Sequence, residues 1–284
     1  MFKSSNLFWR NLKKRAAYGI ISVIVALLIT VTYQIPSYSL IEQIIRGVQI
    51  IQLSSLSDRQ EVAIGKQINE QLIESRKIRI YRSRGLNRYI EDLGQELARS
   101  SDRPNIPYTF QVVDSDSINA FATMGGFVYV NTGLLKLVDN EAELAGVIAH
   151  EIGHVAGRHA VKQMRERAIT QGALSAAGLD RSSAVQIGLQ LAVDLPHSRG
   201  DEFDADNRGL KTLERAGYAP VGLIDFMRKL EQVNTRSRPS FLSTHPASRD
   251  RVIAMERQLD RDRAYTGRGL DDRTYQYNIR RYLR

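Results

Sequence analysis

The chain contains no cysteine. Disulfides, thiolate metal sites and a cysteine nucleophile are thereby excluded, while the compartment is left open, because many exported proteins carry no disulfide. No internal repeat is visible, and no second long apolar run follows residue 33. Nor is there a stripe of interleaved aromatic and basic residues, so the net charge of +9 does not point to nucleic acid. What is present is ordinary for a globular protein, 43% apolar and 25% charged residues in a chain of 284, enough for a well-buried core.

The N-terminus carries Lys3, Arg10, Lys13, Lys14 and Arg15 without an acid, and residues 16–33 then run without a charge. A basic flank before such a run predicts a membrane-directed segment with its start in the cytoplasm and the rest of the chain outside it. The run exceeds a signal-peptide core of about 7–15 residues, which favours a retained anchor. Cleavage near Ser37 to Ser39 is the alternative. Residues 1–15 are thus read as a basic cytoplasmic end, 16–33 as the anchor and 34–56 as an amphipathic linker. Residues 57–255 form the main domain, and 256–284 an arginine-rich, mixed-charge, solvated tail.

The main domain reads as α+β and mainly helical. Helices are predicted from Ser57, across "GLNRYIEDLGQELARSS", and from "RGDEFDADNRGLKTLERAG" to a stop at Gly217. "YTFQVVD", "INAFA" and "GFVYVN" predict a small antiparallel sheet with a tight Gly-Gly turn. One long helix, capped at Asp139 or Asn140, is expected over "DNEAELAGVIAHEIGHVAGRHAVKQMRER". The small-residue stretch "GALSAAGLDRSSAVQIGLQLAV" is expected as a hairpin.

Chemistry concentrates in "AHEIGHVAGRHAV", which holds three of the five histidines. On a helix His150 and His154 project from one face, one turn apart, a spacing that suits two ligands of a zinc ion. Glu151 stands beside them as a candidate general base. The pattern HExxHxxGxxH fails by one residue, since Gly157 is in place but Ala160 stands where a third histidine is needed. His159 is therefore expected behind the site or at the surface. Glu202 is the better third ligand, and Asp206, four residues on and facing the same way, is placed to accept a ring N–H from a ligand histidine. Asp201, Asp204 and Glu166 are weaker candidates.

These pieces resemble the membrane-associated gluzincin metallopeptidases of the HtpX, BepA and CAAX-prenyl-protease type. The matching blocks, in order, are "NAFATMGGFVYVNTGLL", "HEIGHVAGRHAV", "SRGDEFDAD" and "STHPASRDRV". A single N-terminal apolar segment resembles the exported, BepA-like branch. Thr123 and Met124 depart from the Leu-Pro that often precedes the Gly-Gly turn in that family.

The resemblance implies a zincin-like domain with one Zn2+ held by His150, His154 and Glu202, with Glu151 as general base and Asp206 behind the ligands. It implies that His245 stabilises the transition state or caps the zinc at rest, and that Arg251 has a structural or oxyanion-pairing role. The strand at Asn119, Ala120 and Phe121 would then bind an extended polypeptide as an added strand, through its backbone. The expected partners are unfolded or loosely folded polypeptides and the membrane, with no nucleic acid. The expected role is protein quality control in the cell envelope. A chaperone-like or latent zinc module, and a zinc hydrolase acting on a non-peptide bond, are the alternatives.

Overall fold

The computed structural model describes residues 50–51, 53–172, 178–194, 196–232, 240–246 and 249–283. The expected anchor and most of the linker lie outside these residues. Among the described residues, no helix is long and apolar enough to cross a membrane.

A short strand β1 (Ile50–Ile51) and one 3-10 turn lead into helix α1 (Asp58–Glu74). Ser57 caps α1 through a capping box, its side chain accepting from the Gln60 backbone while the Gln60 side chain accepts from the Ser57 N–H. Helix α2 (Arg84–Arg99) follows, burying Leu86, Ile90, Leu93 and Leu97 at helical spacing.

Strands β2 (Thr109–Val113), β3 (Ala120–Thr123) and β4 (Phe127–Asn131) form a three-stranded sheet in the order β2-β4-β3. The sheet is mixed, which corrects the antiparallel expectation: β3 pairs antiparallel with β4, but β2 pairs parallel to it. Every residue of β4 is buried. A strand with no solvent face takes the central position, and β3 is left at the edge. The β3–β4 connection is a 3-10 turn, Met124–Gly126, in which Gly125 has φ 77°. Its N–H donates to the buried Glu61 carboxylate on α1 at 3.3 Å.

A short helix α3 (Thr132–Leu137) leads to α4 (Glu141–Ala156), capped by the Asn140 side chain, which accepts from the Glu143 N–H at 3.0 Å. Every residue of α4 from Ala142 to Val155 is buried. The expected long helix does not run through. It ends at Gly157, and Arg158 sits in the left-handed region at φ 55° before α5 (His159–Thr170) begins. That conformation is unfavourable for a residue with a Cβ. Two contacts of the Arg158 side chain hold it, Nη2 donating to Leu56 O at 2.5 Å and Nε lying 3.2 Å from Glu61.

Of the segment expected as a hairpin, the described residues from 179 on form strand β5 (Leu179–Asp180), paired with β1, and helix α6 (Arg181–Asp194). Helix α7 (Arg199–Ala216) starts at Ser198, whose Oγ accepts from the Asp201 N–H, and ends as expected at Gly217, φ 75°. It crosses α4 at close range. A Cβ on Gly153 would lie 2.7 Å from Ala205 O, and one on Gly209 would lie 3.2 Å from the His150 backbone N. Helix α8 (Val221–Gln232) covers another side of α4, again on a glycine, because a Cβ at Gly146 would meet the Leu223 backbone at 2.7 Å.

The chain closes with α9 (Phe241–Thr244), α10 (Arg249–Gln258), α11 (Arg261–Ala264) and α12 (Asp272–Tyr282). The stretch expected as a solvated tail is exposed on one side and anchored on the other. Tyr275 and Ile279 are buried, and the Tyr275 hydroxyl donates to Leu135 O at 3.0 Å.

Candidate metal centre

Helix α4 presents His150 and His154 toward α7, where Glu202 faces them; all three are buried. Their Nε2 atoms stand 3.1 Å apart, and Glu202 lies 3.6 Å from His150 Nε2 and 3.4 Å from His154 Nε2. His245, which ends α9, closes the group with its Nδ1 3.2 Å from Glu202 Oε1 and 3.4 Å from His150 Nε2. One ligand atom from each of the four residues lies within 4.8 Å of all the others.

The opposite ring nitrogen of His150 decides the chemistry of this group. His150 Nδ1 lies 3.0 Å from Asp206 Oδ1. Facing a carboxylate, Nδ1 carries the proton, so Nε2 presents a lone pair to the cluster. The arrangement thus turns electron pairs of two imidazoles and a carboxylate toward one point inside the protein, which is costly unless a cation holds them. Two histidines and a glutamate suit zinc, and no thiolate is available to favour a softer metal. The residues therefore fit the ion that the sequence suggests.

Arg251 on α10 completes the support. It donates from Nε and Nη2 to the two oxygens of Asp206, at 2.7 Å each, and its Nη1 lies 2.5 Å from Glu202 Oε2. Burial alone would raise the Asp206 and Glu202 carboxyls. The Arg251 and His150 contacts outweigh it at Asp206, and His245 and His154 outweigh it at Glu202, so both are held below the usual carboxylate range. Both stay charged.

Glu151 behaves oppositely. Burial pushes its carboxyl up, with partial opposition from His245 and His150. Neither of its oxygens has a hydrogen-bond partner among the described residues, although Oε1 lies 3.4 Å from His245 Nε2. Such a carboxylate is suited to exchanging a proton. His245 is held above the usual imidazole value, since Glu151 and Glu202 outweigh the effect of its burial.

The structure brings together the residues singled out in the sequence: His150, His154, Glu202 and His245 surround one point, Glu151 lies beside His245, and Asp206 and Arg251 stand behind His150 and Glu202. Asn119, Ala120 and Phe121 lie beside it at the sheet edge, where the Thr244 hydroxyl donates to Asn119 Oδ1 at 3.4 Å. Phe121 and Ala122 line a small cavity with Met124, Leu191, His197 and His245. His159 is buried against His154, and Asp201 and Asp204 lie near it. Glu166 is not among the four clustered residues.

One residue was missed. His197 stacks on the His154 ring at 3.9 Å, and Gln163 bonds its Nδ1 at 2.7 Å. Burial lowers its pKa to about 3. Its only sequence signal was its place just ahead of "SRGDEFDAD".

Comparison with known proteins agrees with this geometry. Residues 85–259, more than half of the chain, match peptidase family M48. The β-barrel assembly-enhancing protease of Yersinia pestis is 34% identical over 215 residues, 70% of this chain and 44% of that protein. The metalloprotease LoiP of Escherichia coli is 29% identical over 76% of this chain and 87% of its own. The mitochondrial metalloendopeptidase OMA1 of Arabidopsis thaliana is 34% identical over 54% of this chain and 32% of its own. The chain thus spans less than half the length of the β-barrel assembly-enhancing proteases it matches.

Proposed function

The chain belongs to peptidase family M48, and from that premise we propose that it is a zinc metalloendopeptidase with His150, His154 and Glu202 as ligands. The observation that carries this is the buried four-residue cluster beside a glutamate whose oxygens have no hydrogen-bond partner among the described residues. When bound, zinc lowers the pKa of a coordinated water to about 7 and polarises the scissile carbonyl.

The chain's own residues supply the rest. Glu151 takes the proton from the attacking water and delivers it to the leaving amine. His245, kept protonated by Glu151 and Glu202, donates a hydrogen bond to the oxyanion. Asp206 and Arg251 hold His150 and Glu202 in place. Asn119, Ala120 and Phe121 offer the edge of the sheet to an extended polypeptide, which favours unfolded segments over particular side chains. Residues 16–33 anchor the domain on the outer side of a membrane, and protein quality control in the cell envelope is its role.

A latent form is the second reading. His245 already stands among the donors, and if His150, His154, Glu202 and His245 all held the zinc, no position would be left open for water. Zinc content and casein cleavage of the full chain, beside Glu151→Gln and Glu202→Ala, separate the cases. One zinc with cleavage supports the active peptidase, one zinc without cleavage supports the latent form, and no zinc overturns the ligand assignment.

A further inference from the structure

The two ligand histidines are backed differently. His150 reaches a carboxylate directly, Asp206, itself gripped by Arg251. Among the described residues, no carboxylate lies behind His154. Its Nδ1 lies 2.9 Å from Nδ1 of a second imidazole, His159, whose Nε2 lies 3.1 Å from Asp204 Oδ2. Asp204 is in turn held by Arg208, which donates from Nε at 2.7 Å and also reaches Asp102 at 2.7 Å.

We propose that His159 and Asp204 are positioning residues for the second metal ligand, acting as a relay from His154 through His159 to Asp204. The proposal rests on the metal reading above.

The hydrogen-bond directions are mutually consistent. The Asp204 carboxylate only accepts, so His159 Nε2 carries a proton and donates it. Among the described residues, the group facing His159 Nδ1 at bonding distance is His154 Nδ1, 2.9 Å away. A His154 that binds metal through Nε2 carries its proton on Nδ1, so His159 Nδ1 is the acceptor of that proton. That leaves His154 Nε2 as a lone pair aimed at Glu202 and His150. The relay thus selects the one neutral tautomer of His154 that can bind a metal, and fixes the ring's angle as well.

The backbone is shaped to allow it. Were α4 to continue through residue 159, His159 would not fold back onto the helix that carries His154. The left-handed turn at Arg158 makes the return. Gly157 leaves the space that the relay fills, because a Cβ there would lie 2.3 Å from His159 Nε2 and 2.8 Å from Asp204 Oδ2. Gly157 has an ordinary right-handed φ of −74°. It is required by the side chains it faces, not by its own conformation.

An isosteric pair of variants of the full chain tests the relay. His159→Asn keeps an acceptor near the position of Nδ1, whereas His159→Leu has nearly the same volume and no acceptor. Zinc affinity is measured by competition with a chelator, and the coordination geometry by the absorption of the cobalt-substituted protein. His159→Leu is expected to bind zinc about 10- to 100-fold more weakly and to shift the cobalt bands, with His159→Asn within about threefold of wild type. Gly157→Ala, which crowds the relay without removing it, is expected to weaken zinc in the same direction as His159→Leu.

Two results would overturn the relay. One is a His159→Leu variant with wild-type zinc affinity and cobalt spectrum. The other is equal loss in the Leu and Asn variants, in step with their metal-free unfolding midpoints, which would leave His159 a packing residue. Absence of zinc from the wild type would instead overturn the metal reading on which the relay stands.

Discussion

Arg251 grips Asp206 with two hydrogen bonds of 2.7 Å each, and both side chains are buried. The same guanidinium touches Glu202, so one cation neutralises a candidate ligand and the carboxylate that orients another. Removing it leaves the buried Asp206 carboxylate with only His150 beside it and takes one of two cationic neighbours from Glu202, the other being His245. Arg251→Met is expected to destabilise the metal-free chain by about 3–5 kcal/mol, read from urea unfolding. Arg251→Lys should recover little, because an ammonium cannot span both oxygens of Asp206 while reaching Glu202. A loss below about 1 kcal/mol in the Met variant would show that the fork is not holding the site together.

Glu151→Gln removes a proton acceptor and keeps the shape. Casein cleavage is expected to fall by about 10²- to 10⁴-fold with zinc content unchanged. If cleavage survives at near wild-type rates, another group is the base.

Metal removal should act on stability as well as on turnover. Chelation is expected to stop cleavage and to lower the melting temperature, with both restored by zinc. At zinc about a thousandfold above its Kd the gain is roughly 4 kcal/mol. A melting temperature indifferent to chelator would contradict a buried zinc site.

The pH dependence of the metal-free chain follows from opposite shifts. Asp206 lies below its unfolded value in the folded state. Its contribution is full above about pH 4, the ordinary aspartate value, and is lost as pH falls through the folded value. His245 lies above its unfolded value. Its contribution is full below about pH 6.5 and is lost as pH rises through the folded value. The stability gap between wild type and Asp206→Asn should therefore close in acid, and that between wild type and His245→Ala should close in alkali. Unfolding midpoints between pH 3 and pH 9 check both limbs, and gaps that do not change with pH would refute the assignment.

Much of the site was legible because helical spacing is local. His150 and His154, and likewise Glu202 and Asp206, sit four apart, and the turn of a helix alone places each pair on one face. The caps at Ser57, Asn140 and Gly217 were legible for the same reason. What the sequence hid depends on contacts between distant segments. The break at Arg158 is held by Leu56 and Glu61, about a hundred residues upstream. The parallel pairing of β2 depends on β4 taking the middle of the sheet. His197 was missed because nothing in the sequence around it says that it will stack on His154. The burial of Tyr275 depends on Leu135, far back in the chain.

The close crossing of α4 and α7 has a kinetic consequence. Gly153 against Ala205, and Gly209 against the backbone of His150, leave no slack between the two helices. The helices that carry His150, His154 and Glu202 have therefore almost no freedom to slide before an ion arrives. Loading should then cost little reorganisation, and its rate should follow ion access and desolvation rather than any refolding of the chain.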